Sequence, residues 1–163
     1  MNGPSTISVP LSGGLFNFRA AGVAVINEKL LLHKTPADKF WSLPGGRADM
    51  FESTKETLLR EMREETGMSV SVGNLMWVVE NFFEYNQLRY HELGFYYRMH
   101  LGSMISQDDF TAIEHGSELL FHWHPLDKLS EIKIHPSFIT AELVLDETVT
   151  KHFVLDSHNL NLG

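Results

Sequence analysis

Residues 46–68 read GRADMFESTKETLLREMREETGM, and the centre of this stretch is a helix. Ser53 and Glu56 have the spacing of a capping box, in which side chains and backbone at a helix start satisfy each other. Gly67 is the kind of residue that can turn left-handed and stop the helix. The pattern therefore predicts a helix over 53–66. At about 100° per residue, with Met62 set at the centre of one face, Leu58, Leu59, Lys55 and Thr66 fall within about 60° of it. That is the expected buried stripe. Glu61, Glu64 and Glu65 fall at about 260°, 200° and 300° and form a second stripe beside it, with no Lys or Arg in the arc. Like charges at these spacings cost about 0.2–0.5 kcal/mol per pair. Such a stripe is either a solvated acidic face or a site for a hard cation, since Mg²⁺ and Mn²⁺ favour carboxylate and carbonyl oxygens.

The sequence on either side reads as strands. Residues 19–34, RAAGVAVINEKLLLHK, suggest two strands meeting at Asn27–Glu28–Lys29, and Pro44–Gly45–Gly46 stops the short apolar piece Trp41–Leu43. After the helix come two long β-rich runs within 69–101, with Asn86–Gln87 as the turn between them. Residues 102–117 read as polar loop, Leu119–Trp123 as a strand, Pro125–Leu129 and Pro136–Leu145 as helical pieces, and Lys151–Asp156 as a last strand. The expected fold class is α/β (α+β), a mixed β-sheet between helices, in one domain over residues 1–163, with 1–15 expected to be a loosely held arm.

Composition narrows the function. The chain has 163 residues, no cysteine and a formal net charge of −8. Disulfides, thiolate zinc sites and cysteine nucleophiles are excluded. An acidic chain without a basic run is a poor match for a long nucleic acid. No apolar run is long enough to span a membrane, and the first residues lack the pattern of a signal peptide, so the expected location is cytoplasmic. An acidic protein can still hold a phosphorylated small molecule if a bound cation lies between them.

The quoted stretch resembles the Nudix box, G-x5-E-x7-R-E-U-x-E-E-x-G-U with U aliphatic. Gly46, Glu52, Arg60, Glu61, Glu64, Glu65 and Gly67 match its fixed identities, and Met62 and Met68 stand at the aliphatic positions. The resemblance implies a Nudix-type α/β/α sandwich with a catalytic loop–helix–loop. It implies a Mg²⁺- or Mn²⁺-dependent hydrolase that cleaves a phosphoanhydride bond by attack of water on phosphorus. The implied partner is a small nucleoside diphosphate derivative, the protein acting as monomer or homodimer. By the same resemblance Glu61, Glu64 and Glu65 face the metal, the backbone carbonyl of Gly45 or Gly46 adds a ligand, and Arg60 pairs with Glu52 to orient the box while pointing off the metal stripe. The general base is sought among Glu61, Glu64, Glu114 and Glu118. Glu118, just before an apolar strand, is the favoured choice for base or ligand, against an ordinary surface role. The other reading is a catalytically silent Nudix-fold domain that binds a nucleotide or sugar-nucleotide. Substrate signatures are sparse: SQPWPFP is absent, Phe83 stands where ADP-ribose-type members carry Pro, and Tyr85 stands where dinucleoside-polyphosphate-type members carry Tyr. Phe40, Trp41, Phe82, Phe83 and Tyr85 are candidates to stack on a base or to pack in the core. His122 and His124 share one strand face and read as strand histidines in preference to metal ligands. Arg89 and Arg98 are candidates to reach phosphates.

Overall fold

The computed structural model describes residues 5–102 and 108–157. Ten strands and two α-helices follow one another in chain order: β1 Ser8–Leu11, β2 Gly14–Val23, β3 Val25–Ile26, β4 Lys29–Lys34, β5 Gly45–Arg47, α1 Thr54–Thr66, β6 Val70–Tyr85, β7 Leu88–Leu101, β8 Phe110–Glu114, β9 Ser117–Pro125, α2 Ala141–Leu145 and β10 Lys151–Asp156. A 3-10 helix, Leu126–Glu131, follows β9. The strands form two sheets. One is mixed, in the order β1-β2-β7-β6-β10 with β5 also on β2; the other is antiparallel, β3-β4-β9-β8. The β2–β7 and β6–β10 pairs are parallel.

The hairpins close where turn chemistry predicts. Asn27 and Glu28, and again Asn86 and Gln87, both adopt positive φ. Two consecutive left-handed residues make the tight turn whose twist matches that of the flanking strands. Helix α1 starts on Ser53, whose side chain accepts from the Glu56 N–H while the Glu56 carboxylate accepts from the Ser53 N–H, and it ends on Gly67 in the left-handed region at φ 70°.

The core lies on both sides of the sheets. One cluster joins Leu58 and Met62 of α1 to Leu31, Phe121, Trp123 and Met99. The other joins Leu30, Leu32, Trp77 and Tyr96 to Leu126, Leu129 and Val144 on the opposite side. Helical segments therefore cover both faces, and the architecture is the α/β/α sandwich expected. Among the described residues no helix is long and apolar enough to cross a membrane.

The structure departs from the sequence reading at several points. Ser8–Leu11, within the expected loose arm, is a strand on β2, and Thr6 bridges Asp49. Phe110–Glu114, within the expected polar loop, is strand β8. The helix expected from Pro136 covers only Ala141–Leu145, capped by Thr140. On α1 the buried residues are Thr57, Leu58, Glu61, Met62 and Glu65, while Lys55 is exposed and Leu59 half-buried. The helix is thus rolled toward its acidic stripe, and its docking face carries two carboxylates.

Met62 is fully buried in the cluster that docks α1. Met62→Ala is expected to lower the unfolding free energy by about 2–5 kcal/mol. Lys55→Ala, on the exposed side, should stay within about 0.5 kcal/mol. Urea unfolding of both variants checks the roll of the helix. Equal losses would contradict it.

Candidate active site

Strand β5 runs antiparallel to β2, with Gly46 opposite Ala20 and Arg47 opposite Arg19. This brings the loop before α1 against the helix. A Cβ on Gly46 would stand 2.2–2.5 Å from the carboxyl atoms of Glu61, so only glycine lets the strand and the carboxylate share this space.

Glu52 ties the loop together. Its Oε1 accepts from Arg60 Nε at 2.8 Å, and its Oε2 accepts from Arg60 Nη2, Asp49 N and Thr57 Oγ1. The Arg60 hydrogen bonds are the main reason its pKa is held at about 2, and the same contacts raise that of Arg60. Arg60 Nη2 also donates to the Arg47 carbonyl at 3.0 Å. The expected Arg60–Glu52 pair is therefore present. Arg60 does not, however, point off the stripe. Its Nη1 donates to Glu61 Oε1 at 2.8 Å and to Glu64 Oε2 at 3.2 Å. A guanidinium offers donors on several sides of one plane, so it can hold Glu52 with one edge and the stripe with another.

Glu65 is the extreme case. Its side chain is 1% exposed, and among the described residues neither carboxyl oxygen has a hydrogen-bond partner. The nearest imidazole nitrogen is His33 Nδ1 at 3.8 Å, itself without a partner. Burial, with Arg19 second, lowers the His33 pKa to about 3; burial, with Glu114 and Glu61 next, pushes Glu65 up to about 9. At pH 7 the two groups are both neutral and do not form an ion pair, despite their proximity. Glu61 is also raised, first by burial and against the pull of Arg60.

One oxygen each of Glu61, Glu65 and Glu114 lies within 4.8 Å of the others. Glu114 closes this group from β8, and Glu64 stands at its edge, about half exposed. Glu118, the favoured expectation, is exposed and does not line this site. The reason is strand alternation: on β9, Ser117 and Leu119 face the cleft, so Glu118 points the other way.

The carboxylates open into a cleft of about 620 Å³. Gly45 and Gly46 line it beside them, as do Arg19 and Arg47. At the far end stand Phe40, Phe83, Tyr85 and His135. Phe40 and Phe83 both contact the His135 ring, at 5.3 and 4.8 Å between centroids, and Tyr85 donates to Asp38 at 2.6 Å. Phe82 packs against His91 instead, and Trp41 against His122. Arg98 is buried, donating to the Val144 carbonyl and paired with Glu147, so it is structural. All four ring nitrogens of His122 and His124 lie in hydrogen bonds, to each other, to Asp109 and to the Lys128 carbonyl. Arg19, Arg47, His33, Glu92 and His135 were not singled out by sequence. For the four that lie on strands, alternation shows which residues share a face but not which face lines a cleft, and His135 lies in the segment after the 3-10 helix.

The model of the NUDIX domain family matches residues 17–141 of this chain. The chain is 29% identical over 112 residues to a protein of Mycobacterium tuberculosis provisionally described as mutator protein MutT4, covering 68% of this chain and 43% of that protein. It is 28% identical over 118 residues to a protein of Bacillus subtilis provisionally described as ADP-ribose pyrophosphatase YjhB, covering 71% of this chain and 55% of that protein. These matches span about half the length of the relatives. Among solved structures, the MutT NUDIX hydrolase from Burkholderia pseudomallei superposes with a TM-score of 0.59 at 23% identity, over 79% of this chain and 98% of that one, a likeness of fold.

The buried carboxyl of Glu65 gives the metal-free protein a signed pH dependence. Its folded pKa of about 9 lies above the ordinary 4.5. The folded state therefore binds the extra proton between these values, and stability falls as pH rises through that window. Glu65→Gln, neutral at every pH, is expected to flatten the slope. Thermal melts of both proteins in EDTA from pH 5 to pH 9 measure it; parallel curves would show that Glu65 does not titrate as described.

Proposed function

The chain belongs to the NUDIX domain family, and on that premise we propose that it is a divalent-metal-dependent hydrolase of a nucleoside diphosphate derivative. The observation that carries the reading is Glu65: a buried carboxyl with no partner, beside Glu61 and Glu114. A group so placed costs stability in the protein alone. A hard cation with oxygen ligands fits the donor set. Glu61, Glu65 and Glu114 would hold it, with Glu64 and the Gly45 carbonyl adjacent. Bound Mg²⁺ or Mn²⁺ would neutralise charge on phosphate oxygens and make water a better nucleophile.

The chain's own residues supply the rest. Arg19 and Arg47 face each other across the β2–β5 pair, where two like charges repel unless an anion lies between them. They would hold phosphate oxygens. The rings of Phe40, Phe83 and Tyr85 would take a base by stacking. Glu64 is the accessible carboxylate of the group, and we assign it the proton of the attacking water. Water then forms the new P–O bond, the bridging P–O bond breaks, and the electron pair leaves with the departing phosphate. Glu52 keeps the loop in place through Arg60, and Arg60 Nη1 also holds Glu61 and Glu64 in position.

A screen of nucleotides, NDP-sugars and dinucleoside polyphosphates, with products identified by mass, tests the reading. Turnover is expected with Mg²⁺ or Mn²⁺ and none in EDTA. Binding without turnover would favour a silent nucleotide-binding domain. Glu114→Gln is expected to lower kcat at least tenfold and Glu118→Gln to leave it near wild type. The reverse order would return the role to Glu118.

Metal binding has a second readout. Glu65 is protonated at pH 7 and must lose its proton to act as a ligand. Calorimetric titration with Mg²⁺ in two buffers of different ionisation enthalpy is expected to show release of about one proton, absent in Glu65→Gln. In EDTA that variant should melt no lower than wild type, and in saturating Mg²⁺ it should melt lower. No crossover would mean that Glu65 is not a ligand.

A further inference from the structure

We infer that Glu92 reads a sugar hydroxyl, so that the cleft favours nucleotides carrying a 2′-OH over their 2′-deoxy counterparts. The inference rests on the nucleotide reading of the cleft and concerns what that site selects.

The argument comes from strand register. On β7, the residues Tyr90, Glu92, Gly94 and Tyr96 alternate onto the cleft-side face, and Glu92 and Tyr96 line the cleft. Arg19 lies opposite Gly94, and Asn17 opposite Glu92. On the other side of β7, Asn81 lies opposite Glu92, and Phe83 opposite Tyr90. Three rows therefore cross the floor about 7 Å apart, two residues of strand rise each. The Arg19 row is where phosphate would sit, and the Phe83 row where a ring would stack. The row between them is polar: Asn17, Glu92 and Asn81, each at most 9% exposed. In any nucleotide the group between phosphate and base is the sugar.

The middle row is held ready. Ser8 Oγ donates to Asn17 Oδ1 at 2.7 Å, which fixes the amide so that its NH₂ points onward. Arg19 and then the Asn17 amide, both on the paired strand, favour the ionised Glu92 carboxyl against the burial that raises it. The carboxyl keeps further lone pairs for a ligand. At the end of the row, Asn81 Nδ2 lies 3.2 Å from His135 Nε2, tying the ring wall to the floor. Gly94, in the Arg19 row, leaves room for the Tyr96 ring, since a Cβ there would stand 2.8 Å from it. A hydroxyl both donates and accepts, so it matches Glu92 whether the carboxyl is ionised or protonated. A 2′-methylene offers neither and would leave a buried polar group short of a partner, which is how a site rejects an analogue lacking one hydroxyl.

The test pairs nucleoside 5′-monophosphates with their 2′-deoxy forms and measures Kd by calorimetry with Mg²⁺, alongside kcat/KM for ribo- and deoxyribonucleoside triphosphates. Wild type is expected to bind the ribo form about tenfold to a hundredfold more tightly. Glu92→Leu, which removes both donor and acceptor, should bring the ratio to within about threefold, while Arg47→Ala weakens both forms alike. A 2′-fluoro nucleotide, which cannot donate and accepts only weakly, should lose most of the advantage with the unaltered protein, so the proposal does not depend on any variant folding. A wild-type ratio near one, or a ratio that survives Glu92→Leu in a folded variant, overturns it. Turnover of both forms with no preference sinks this inference alone. A ribo preference in binding with no turnover of any substrate sinks the hydrolase reading and leaves this one standing.

Discussion

Two carboxylates buried with the apolar face of one helix are the constraint on which the rest of this structure depends. Leu58 and Met62 dock α1 against the sheets, and Glu61 and Glu65, on the adjoining stripe of the same helix, go in with them. Desolvation raises both carboxyls, Glu114 raises both further, and Glu61 adds to the rise of Glu65. The surroundings relieve Glu61 but not Glu65. Arg60 reaches Glu61 and is itself held by Glu52, while Gly46 leaves the space that the Glu61 carboxyl fills. Glu65 meets only a neutral imidazole. The protein thus concentrates its local instability in one group, at the point where β8 brings a third carboxylate.

The cleft carries its charge in an order. Acid stands at the helix end, two arginines follow on paired strands, a polar row crosses the sheet, and aromatic rings close the far end. On a chain of net charge −8, the arginines matter because they are placed, not because they are numerous. Their closeness across a strand pair is unfavourable alone and becomes favourable with an anion between them. The same logic governs Glu65. Arg19 Nη2 still donates to the Leu43 carbonyl, whereas neither oxygen of Glu65 has a hydrogen-bond partner among the described residues.

The helix, its two caps and the two tight hairpin turns were legible because each rests on local chemistry: Ser53 with Glu56, Gly67, Asn27–Glu28 and Asn86–Gln87. The roll of the helix was not. An angular plot centred on Met62 places Lys55 inside the expected buried stripe and Glu61 outside it, and only the contact with β5 shows that the Glu61 side is buried. Strand β8 escaped notice because it is only five residues long, stands on an outer edge among polar neighbours, and depends on pairing with β9 for its hydrogen bonds. Glu114 was one of two similar glutamates on a loop. Choosing between it and Glu118 required the phase of the hairpin, which a one-residue shift would invert. The floor residues Arg19 and Glu92 were hidden for a different reason: they meet only through a parallel pairing of distant strands.

That pairing has a consequence for how the chain acquires its shape. Arg19 lies opposite Gly94, and everything between them, including β5, α1 and most of the β6–β7 hairpin, is enclosed in the loop that the β2–β7 ladder closes. The β6–β7 hairpin needs only its own two-residue turn and can zip locally. The β2–β7 ladder must first bring remote segments together and offers no local hydrogen bonds on the way, the situation in which high contact order slows folding. Until β7 is available, the edge of β2 that it covers stays open, while β1 and β5 can already hold the other edge. Strands β8 and β9 come later still in the chain, and β8 carries Glu114. The crowding of Glu65 by a third carboxylate therefore waits on segments that lie far beyond its own helix.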